Sequence, residues 1–495
     1  MSLIRKVFIV YTLLLNGYFA IAQGLEVDTS VYNSLPRQSL YGDGGKSEAN
    51  ALEGILKVDL KPYCPKIKNQ GRVGSCTAWS TGYGAMTIAY AIENGMANQR
   101  EYITDTAFSA LFLYNQLRED YNDCGKGTFI HETLEFLRTT GNIRSWDFDS
   151  GNNCKKHPSP EQVAAAGQHK IKDWVTLFET GSSNRVRIDK TKLSLNANKP
   201  VIIAMRTRNN FFELGPGDKY WFPSIGDTTI SFYHAMVVVG FDDGKGAFEV
   251  MNSWGETWGN KGFFWLKYDD YAKHVPNAYQ MTLFSGGSAQ QQTLIPKNDP
   301  RNLLAAKVKV RAPLRMENGK PVFQDIPFVW KNGIYELADQ STWPVGKRYQ
   351  LVASNVSGGN YLYAFSIDNN NKINIHWPRD ASLNDKFEGL NESAIISNER
   401  VELVIPSPET AMITEVSGAE YICLLLSKTP LSDLNTIVQT IKNNPTQPIK
   451  SRVLNALGKK AMAAGKVKNE AAEIAVSSSE KTGDVVAVLL RIGIE

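Results

Sequence analysis

Residues 68–80 read KNQGRVGSCTAWS. A loop gives way to a helix at Cys76: from Ser75 to Asn94, Ala78, Trp79, Ala85, Met86, Ala89 and Tyr90 recur at three- and four-residue spacings, and Gly95 stops the run. A lone cysteine is usually a small buried apolar residue. It becomes a nucleophile only if the chain also supplies a base, a group that orients the base, and donors for an oxyanion.

Six histidines are available: His131, His157, His169, His234, His274 and His376. Only His234 opens an apolar strand pattern, YHAMVV at 233–238. Asn252 follows in MNSWGETWG at 251–259. The interval suits two neighbouring strands joined by a hairpin, with His234 and Asn252 side by side.

Three separated motifs in the order Cys, His, Asn resemble the papain-like cysteine peptidases, here as a divergent bacterial member. Gln70 and Cys76 stand as in that family's Q-G-x-C-G-S-C-W, His234-Ala235 as in its H-A, and Asn252-Ser253-Trp254-Gly255 as in its N-S-W-G. The resemblance covers residues 57–285 and implies a two-lobed α+β fold, one lobe helical and one β-barrel-like. It implies Cys76 as nucleophile at a helix start, where backbone N–H groups and the helix dipole favour thiolate. It implies His234 as the imidazole partner that later protonates the leaving amine, Asn252 as its orienting group, and Trp254 as the cover of their hydrogen bond. The Gln70 amide and the Cys76 backbone N–H are then the oxyanion donors, each typically worth about 3–4 kcal/mol in a transition state. No metal and no organic cofactor is implied.

Several positions depart from the family pattern. Val73 replaces a cysteine, Thr77 replaces the usual aromatic after the nucleophile, and Tyr233 stands where Asp or Asn often precedes the histidine. The stretch DCGKGTF at 123–129 resembles the family's C-x-G-G, whose backbone holds an extended substrate. Gly127 fits the second glycine and Lys126 replaces the first. The alignment implies a substrate pocket of Thr128, Phe129, Phe232 and Ala235. Cys124 and Cys154 flank a predicted helix and are expected to pair, a closure worth roughly 3–4 kcal/mol. Cys64 is left open, and Cys423 lies in an apolar run as expected core.

At the N-terminus, Arg5 and Lys6 precede the apolar run 7–15, and Ala20-Ile21-Ala22 follows, the pattern of a secretory signal over 1–22. An exported protein, periplasmic, cell-surface or extracellular, is expected, with no stable membrane insertion after cleavage. Residues 23–56 read as a polar, irregular leader. Helices are predicted over 106–117 and 129–137, and strands near 171–175, 200–205, 235–241 and 263–266. Residues 286–302 are small, polar and proline-containing, a linker pattern. Beyond them, strand-like runs over 303–495 predict a β sandwich, with helices near 431–442 and 449–464. YLYAFSID at 361–368 and GAEYICLL at 418–425 resemble a β-rich bacterial accessory domain of unknown function.

The net charge of +4 on 495 residues offers no argument for nucleic acid. The expected activity is peptide-bond hydrolysis on a peptide or protein substrate. Two rivals stand beside it: a catalytically silent binding protein with the same fold, and acyl transfer to an amine at the same site.

Overall fold

The computed structural model describes residues 25–38, 51–118, 120, 122–148, 153–224, 232–284, 304–399, 401–462, 466–470, 472–478 and 482–495. The expected signal at 1–22 and linker at 286–302 lie outside the described residues, as do 23–24 and 39–50 of the expected leader.

In the first half, a helix begins as Cys76–Ala78, widens into a π turn over Trp79–Met86, and returns to α geometry over Thr87–Glu93. It lies flat on the strand Tyr233–Asp242: a methyl group on Gly84 would come within 2.8 Å of Val237 Cγ2, so glycine is what permits this approach. The helix predicted over 106–117 starts four residues later, as Ala110–Leu117, and a separate helix, Arg100–Asp105, precedes it. Ser109 restarts the chain there, its hydroxyl accepting the Phe112 N–H at 3.1 Å. A short strand, Thr128–Phe129, leads into the helix Ile130–Thr139.

The β half is one antiparallel sheet in the order Ile171–Thr176, Asn277–Leu283, Val201–Arg206, Tyr233–Asp242, Ala247–Met251, Phe263–Lys267, with Lys57–Asp59 added to the Tyr233 strand. Val237 pairs with Met251, which brings the end of the Ala247 strand beside the start of the Tyr233 strand. The helix Asn184–Asn196, which hydrophobic periodicity does not announce, packs here through polar side chains. Thr191 meets the Tyr271 hydroxyl at 2.7 Å, and Ser194 donates to Gln280 Oε1 at 2.7 Å.

Residues 304–495 build two seven-stranded sheets that share an apolar core. Val308 and Leu351 come from one, Leu362, Leu424 and Leu490 from the other. The helices Leu434–Lys442 and Ile449–Leu457 cover the outer face of the second sheet. On the strand Tyr361–Ile367, Leu362 and Ala364 point between the sheets, while Tyr361, Tyr363 and Phe365 pack with Ile437, Ile441 and Val453. This aromatic row is core.

The leader differs most from expectation. Leu25–Glu26 is a strand, and Thr29–Ser34 is a helix capped by Asp28, whose carboxylate accepts the Ser30 and Val31 N–H groups. The reason is tertiary. Tyr32 is buried, and its hydroxyl donates to Phe178 O at 2.7 Å and accepts from Ala278 N at 3.1 Å.

Candidate active site

The loop before Cys76 is folded back on two neighbours. Gly74 N donates to Cys124 O at 2.7 Å, and any side chain on Gly74 would collide with the Gly125 carbonyl. Gln70 N donates to Ser253 O at 2.9 Å. Cys76 opens its helix fully buried, and that helix start packs against the strand headed by His234.

His234 and Asn252 are both buried, and His234 Nε2 lies 2.7 Å from Asn252 Oδ1. The same Oδ1 accepts the backbone N–H of Ser253 at 2.8 Å, which fixes that atom as oxygen. An oxygen cannot donate, so Nε2 carries the proton and Nδ1 keeps the lone pair. The tautomer is thus set for a base that works through Nδ1. Burial pushes the imidazole down to about 4, and the bond to Asn252 works against that drop. An imidazolium at this depth therefore persists only opposite a negative charge.

Gln70 is also buried, and its amide is held at both ends. Nε2 donates to Val73 O at 3.1 Å, and Oε1 accepts the Ser253 hydroxyl at 2.6 Å. Ser253 thus joins the two halves of the site: its N–H holds Asn252 and its hydroxyl holds Gln70. Sequence reading missed Ser253 as a functional residue, though it stands inside the Asn-Ser-Trp-Gly motif.

Trp254 lies over His234, ring centroids 4.8 Å apart with 33° between planes. Phe212 stacks on Trp254 at 5.3 Å and 10°, and Phe232 stacks on Phe212 at 4.8 Å. Phe211 meets Trp254 edge-on at 5.3 Å. These rings make an apolar roof beside the imidazole. Phe211 and Phe212 had no sequence signal, because neither belongs to a spaced motif.

The expected substrate residues are divided. Phe232 joins the aromatic roof on the Trp254 side. Thr128 and Ala235 are buried and Phe129 is half-buried, with its ring 5.3 Å from that of His131. Thr77, the departure beside Cys76, donates its hydroxyl to Thr128 O at 3.1 Å, so the Cys76 helix grips the Thr128 strand directly. The Gly127 loop is held from behind by Tyr114, whose hydroxyl donates to Cys124 O at 3.0 Å and Lys126 O at 2.7 Å. Cys124 and Cys154 form a disulfide; Cys64, Cys76 and Cys423 are free and buried. Against the Thr128–Phe129 strand lies the leader. Leu25 pairs with Thr128 and Glu26 with Phe129, in parallel. Among the described residues no group of three or more His, Cys, Asp or Glu side chains could hold a metal ion.

The chain is similar to known proteins. The profile of the papain family cysteine protease covers residues 57–282. Vignain of Vigna mungo is 24% identical over 200 residues, which are 40% of this chain and 49% of vignain. Cathepsin K of Mus musculus is 24% identical over 209 residues, 41% of this chain and 56% of the cathepsin. The chain thus spans about half the length of the curated relatives it matches. Among solved structures, xylellain, a cysteine protease from Xylella fastidiosa, is similar at 21% identity and a TM-score of 0.42, covering 53% of this chain and 96% of xylellain. With the profile spanning the whole two-lobed unit that carries Gln70, Cys76, His234 and Asn252, residues 57–282 belong to the papain family of cysteine proteases.

Proposed function

We propose that this protein is an exported peptidase that hydrolyses peptide bonds in peptides or proteins, with Cys76 as nucleophile. One observation carries the reading: a buried imidazole whose Nε2–H is committed to Asn252, on a strand packed against the helix that Cys76 opens.

The chemistry follows from the atoms present. The Cys76 Sγ proton passes to His234 Nδ1, and the thiolate attacks the carbonyl carbon of the substrate. The carbonyl oxygen becomes an oxyanion, stabilised by the Cys76 N–H and by the Gln70 Nε2 proton not used on Val73. The tetrahedral species collapses, the C–N bond breaks, and the imidazolium gives its proton to the leaving amine. A thioester remains. Water then attacks with His234 as general base, the C–S bond breaks, and the acid leaves with thiolate and imidazolium restored. The aromatic roof excludes solvent from the His234–Asn252 bond throughout.

Export is supported by the charged, apolar and A-x-A pattern of 1–22, and by a Cys124–Cys154 disulfide that needs an oxidising compartment. Among the described residues no helix is long and apolar enough to cross a membrane. The test is cleavage of a peptide library by the wild type and by Cys76→Ala. Cleavage abolished in the variant, with its fold retained by circular dichroism, is the expected outcome. Activity surviving in Cys76→Ala would remove the mechanism. Amino-terminal sequencing of the protein recovered outside the cytoplasm tests export, and an intact Met1 there would count against it.

A further inference from the structure

The loop that ends in Gln70 has a second side. Lys68 and Asn69, the two residues before Gln70, form one rim of an open cleft of about 740 Å³ in the helical lobe. Pockets that take small ligands and peptide segments have volumes of roughly 300–1,000 Å³. The rim is tied to the Asn-Ser-Trp-Gly turn: Gly255 N donates to Lys68 O at 3.2 Å, and Asn69 pairs with Trp254 in an antiparallel bridge. One loop thus serves the candidate active site through Gln70 and the cleft through Lys68 and Asn69.

The walls of the cleft are chemically mixed. Tyr83, Leu111 and Phe148 line it as buried apolar side chains, while Trp146 is a large ring left 58% exposed. An exposed indole beside an apolar floor marks a surface suited to binding. Trp79 also lines the cleft; it is more than nine-tenths buried, and its Nε1–H has no acceptor. Two charges are left over as well. On the same segments, Lys66 pairs with Glu101 at 2.5 Å and Arg100 with Glu256 at 2.7 Å. Lys68 and Asp105 have no ion-pair partner among the described residues, and the Lys68 ammonium lies 5.5 Å from the Tyr83 ring centroid.

We propose that this cleft is an exosite: a second contact for a protein substrate, made by a segment remote from the bond that is cut. A polypeptide lying over Cys76 needs only to cross the Lys68–Gln70 loop to enter it. The segment it takes carries an apolar side chain, which fills the floor beside Trp146, flanked by an acidic group for Lys68 and a basic group for Asp105. The proposal rests on the peptidase reading of Cys76. It adds a substrate class to that reading, since proteins long enough to reach both places are bound more tightly than short peptides, with the chemical step unchanged.

The test uses the full-length protein and two substrates: casein, which spans both places, and the shortest blocked peptide from the library that is still cleaved. Trp146→Ala should raise KM for casein at least fivefold, with kcat/KM for the short peptide unchanged within twofold. Lys68→Glu combined with Asp105→Lys, both exposed changes, should raise KM for casein about threefold, and serves if Trp146→Ala does not fold. Casein cleavage unchanged in both variants, with the short peptide still cleaved, overturns the exosite and leaves the peptidase reading standing. Parallel losses on both substrates overturn it too, because the cleft would then act on the site that all substrates share. A loss in Trp146→Ala but none in the charge-reversed variant overturns the mixed-charge segment as the occupant. No cleavage of either substrate by the wild type overturns the peptidase reading and the exosite with it.

Discussion

At the residue scale, Ser253 is the side chain whose role the geometry reveals. Its hydroxyl fixes Gln70 Oε1, and so aims Nε2. Removing it leaves the amide held only at Nε2, by its bond to Val73 O. Ser253→Ala should therefore lower kcat about tenfold, near 1.4 kcal/mol, with KM little changed, and Ser253→Thr should restore most of the loss. Gln70→Ala should cost about 10²–10³ in kcat. Steady-state kinetics on one peptide checks both. A second expectation concerns the imidazole. Burial, partly offset by the bond to Asn252, takes His234 down to about 4, so on the proposed mechanism it holds a proton at neutral pH only while Cys76 supplies the opposing charge. In Cys76→Ala the imidazole should stay neutral until the pH falls below about 5, whereas the wild-type ring should be charged at pH 7. Nitrogen-15 NMR of the histidine side chains reads the difference. That Gln70, Cys76, His234 and Asn252 belong to one constellation was legible because they sit in motifs with fixed spacing. The tautomer was not, because it depends on which atom of the Asn252 amide faces His234 Nε2, set by the side-chain turn that lets Oδ1 accept the adjacent Ser253 N–H.

At the scale of elements, the Cys76 helix is tied to the Thr128–Phe129 strand by Thr77, and the loop before that strand is tied down by Tyr114 and the Cys124–Cys154 bridge. Replacing both cysteines by serine should cost roughly 3 kcal/mol in urea unfolding, since the closed loop no longer restrains the unfolded chain. If Gly127 binds substrate as its family resemblance implies, the same variant should raise KM more than it lowers kcat. Elements with apolar periodicity were readable: the Tyr233–Asp242 strand and the Cys76 helix lie close to where their patterns put them. The helix Asn184–Asn196 was not, because it buries Thr191, Ser194 and Asn196 against polar partners and shows no apolar stripe. The Thr29–Ser34 helix is too short to form by propensity. Its order comes from Tyr32 docking between Phe178 and Ala278, which no local pattern encodes.

At the scale of the molecule, buried histidines set the response to acid. His169 lies among Phe108, Tyr90 and Arg144, and burial followed by the Arg144 charge pushes it down to about 4. Its unfolded value is about 6.5, so as pH falls from 6.5 towards 4 the unfolded chain takes up a proton that the folded chain refuses. Stability is therefore lost on acidification across that window. His169→Gln should lose about 1 kcal/mol less than wild type between pH 7 and pH 5 in urea titrations, the size reflecting partial solvent screening of this half-buried ring. His376 is held near 4 as well, in the C-terminal half, and adds the same sign. The β-rich character of that half was readable from its alternating strands, but its contacts with the first half were not, since they join residues far apart in the chain.

Those contacts run through the cores themselves. Leu193 of the catalytic half is part of the apolar cluster between the two C-terminal sheets, and Val175 is part of the cluster under the C-terminal helices. Tyr361 donates to Asp173 Oδ2 at 3.0 Å across the same boundary. A cut between the halves would strip solvent-averse surface from both at once. Neither half, then, has evolved a finished exterior on that side. The protein is in this sense a single thermodynamic object with two chemistries, and a change that loosens the β region is felt as heat sensitivity by the enzyme-like half as well.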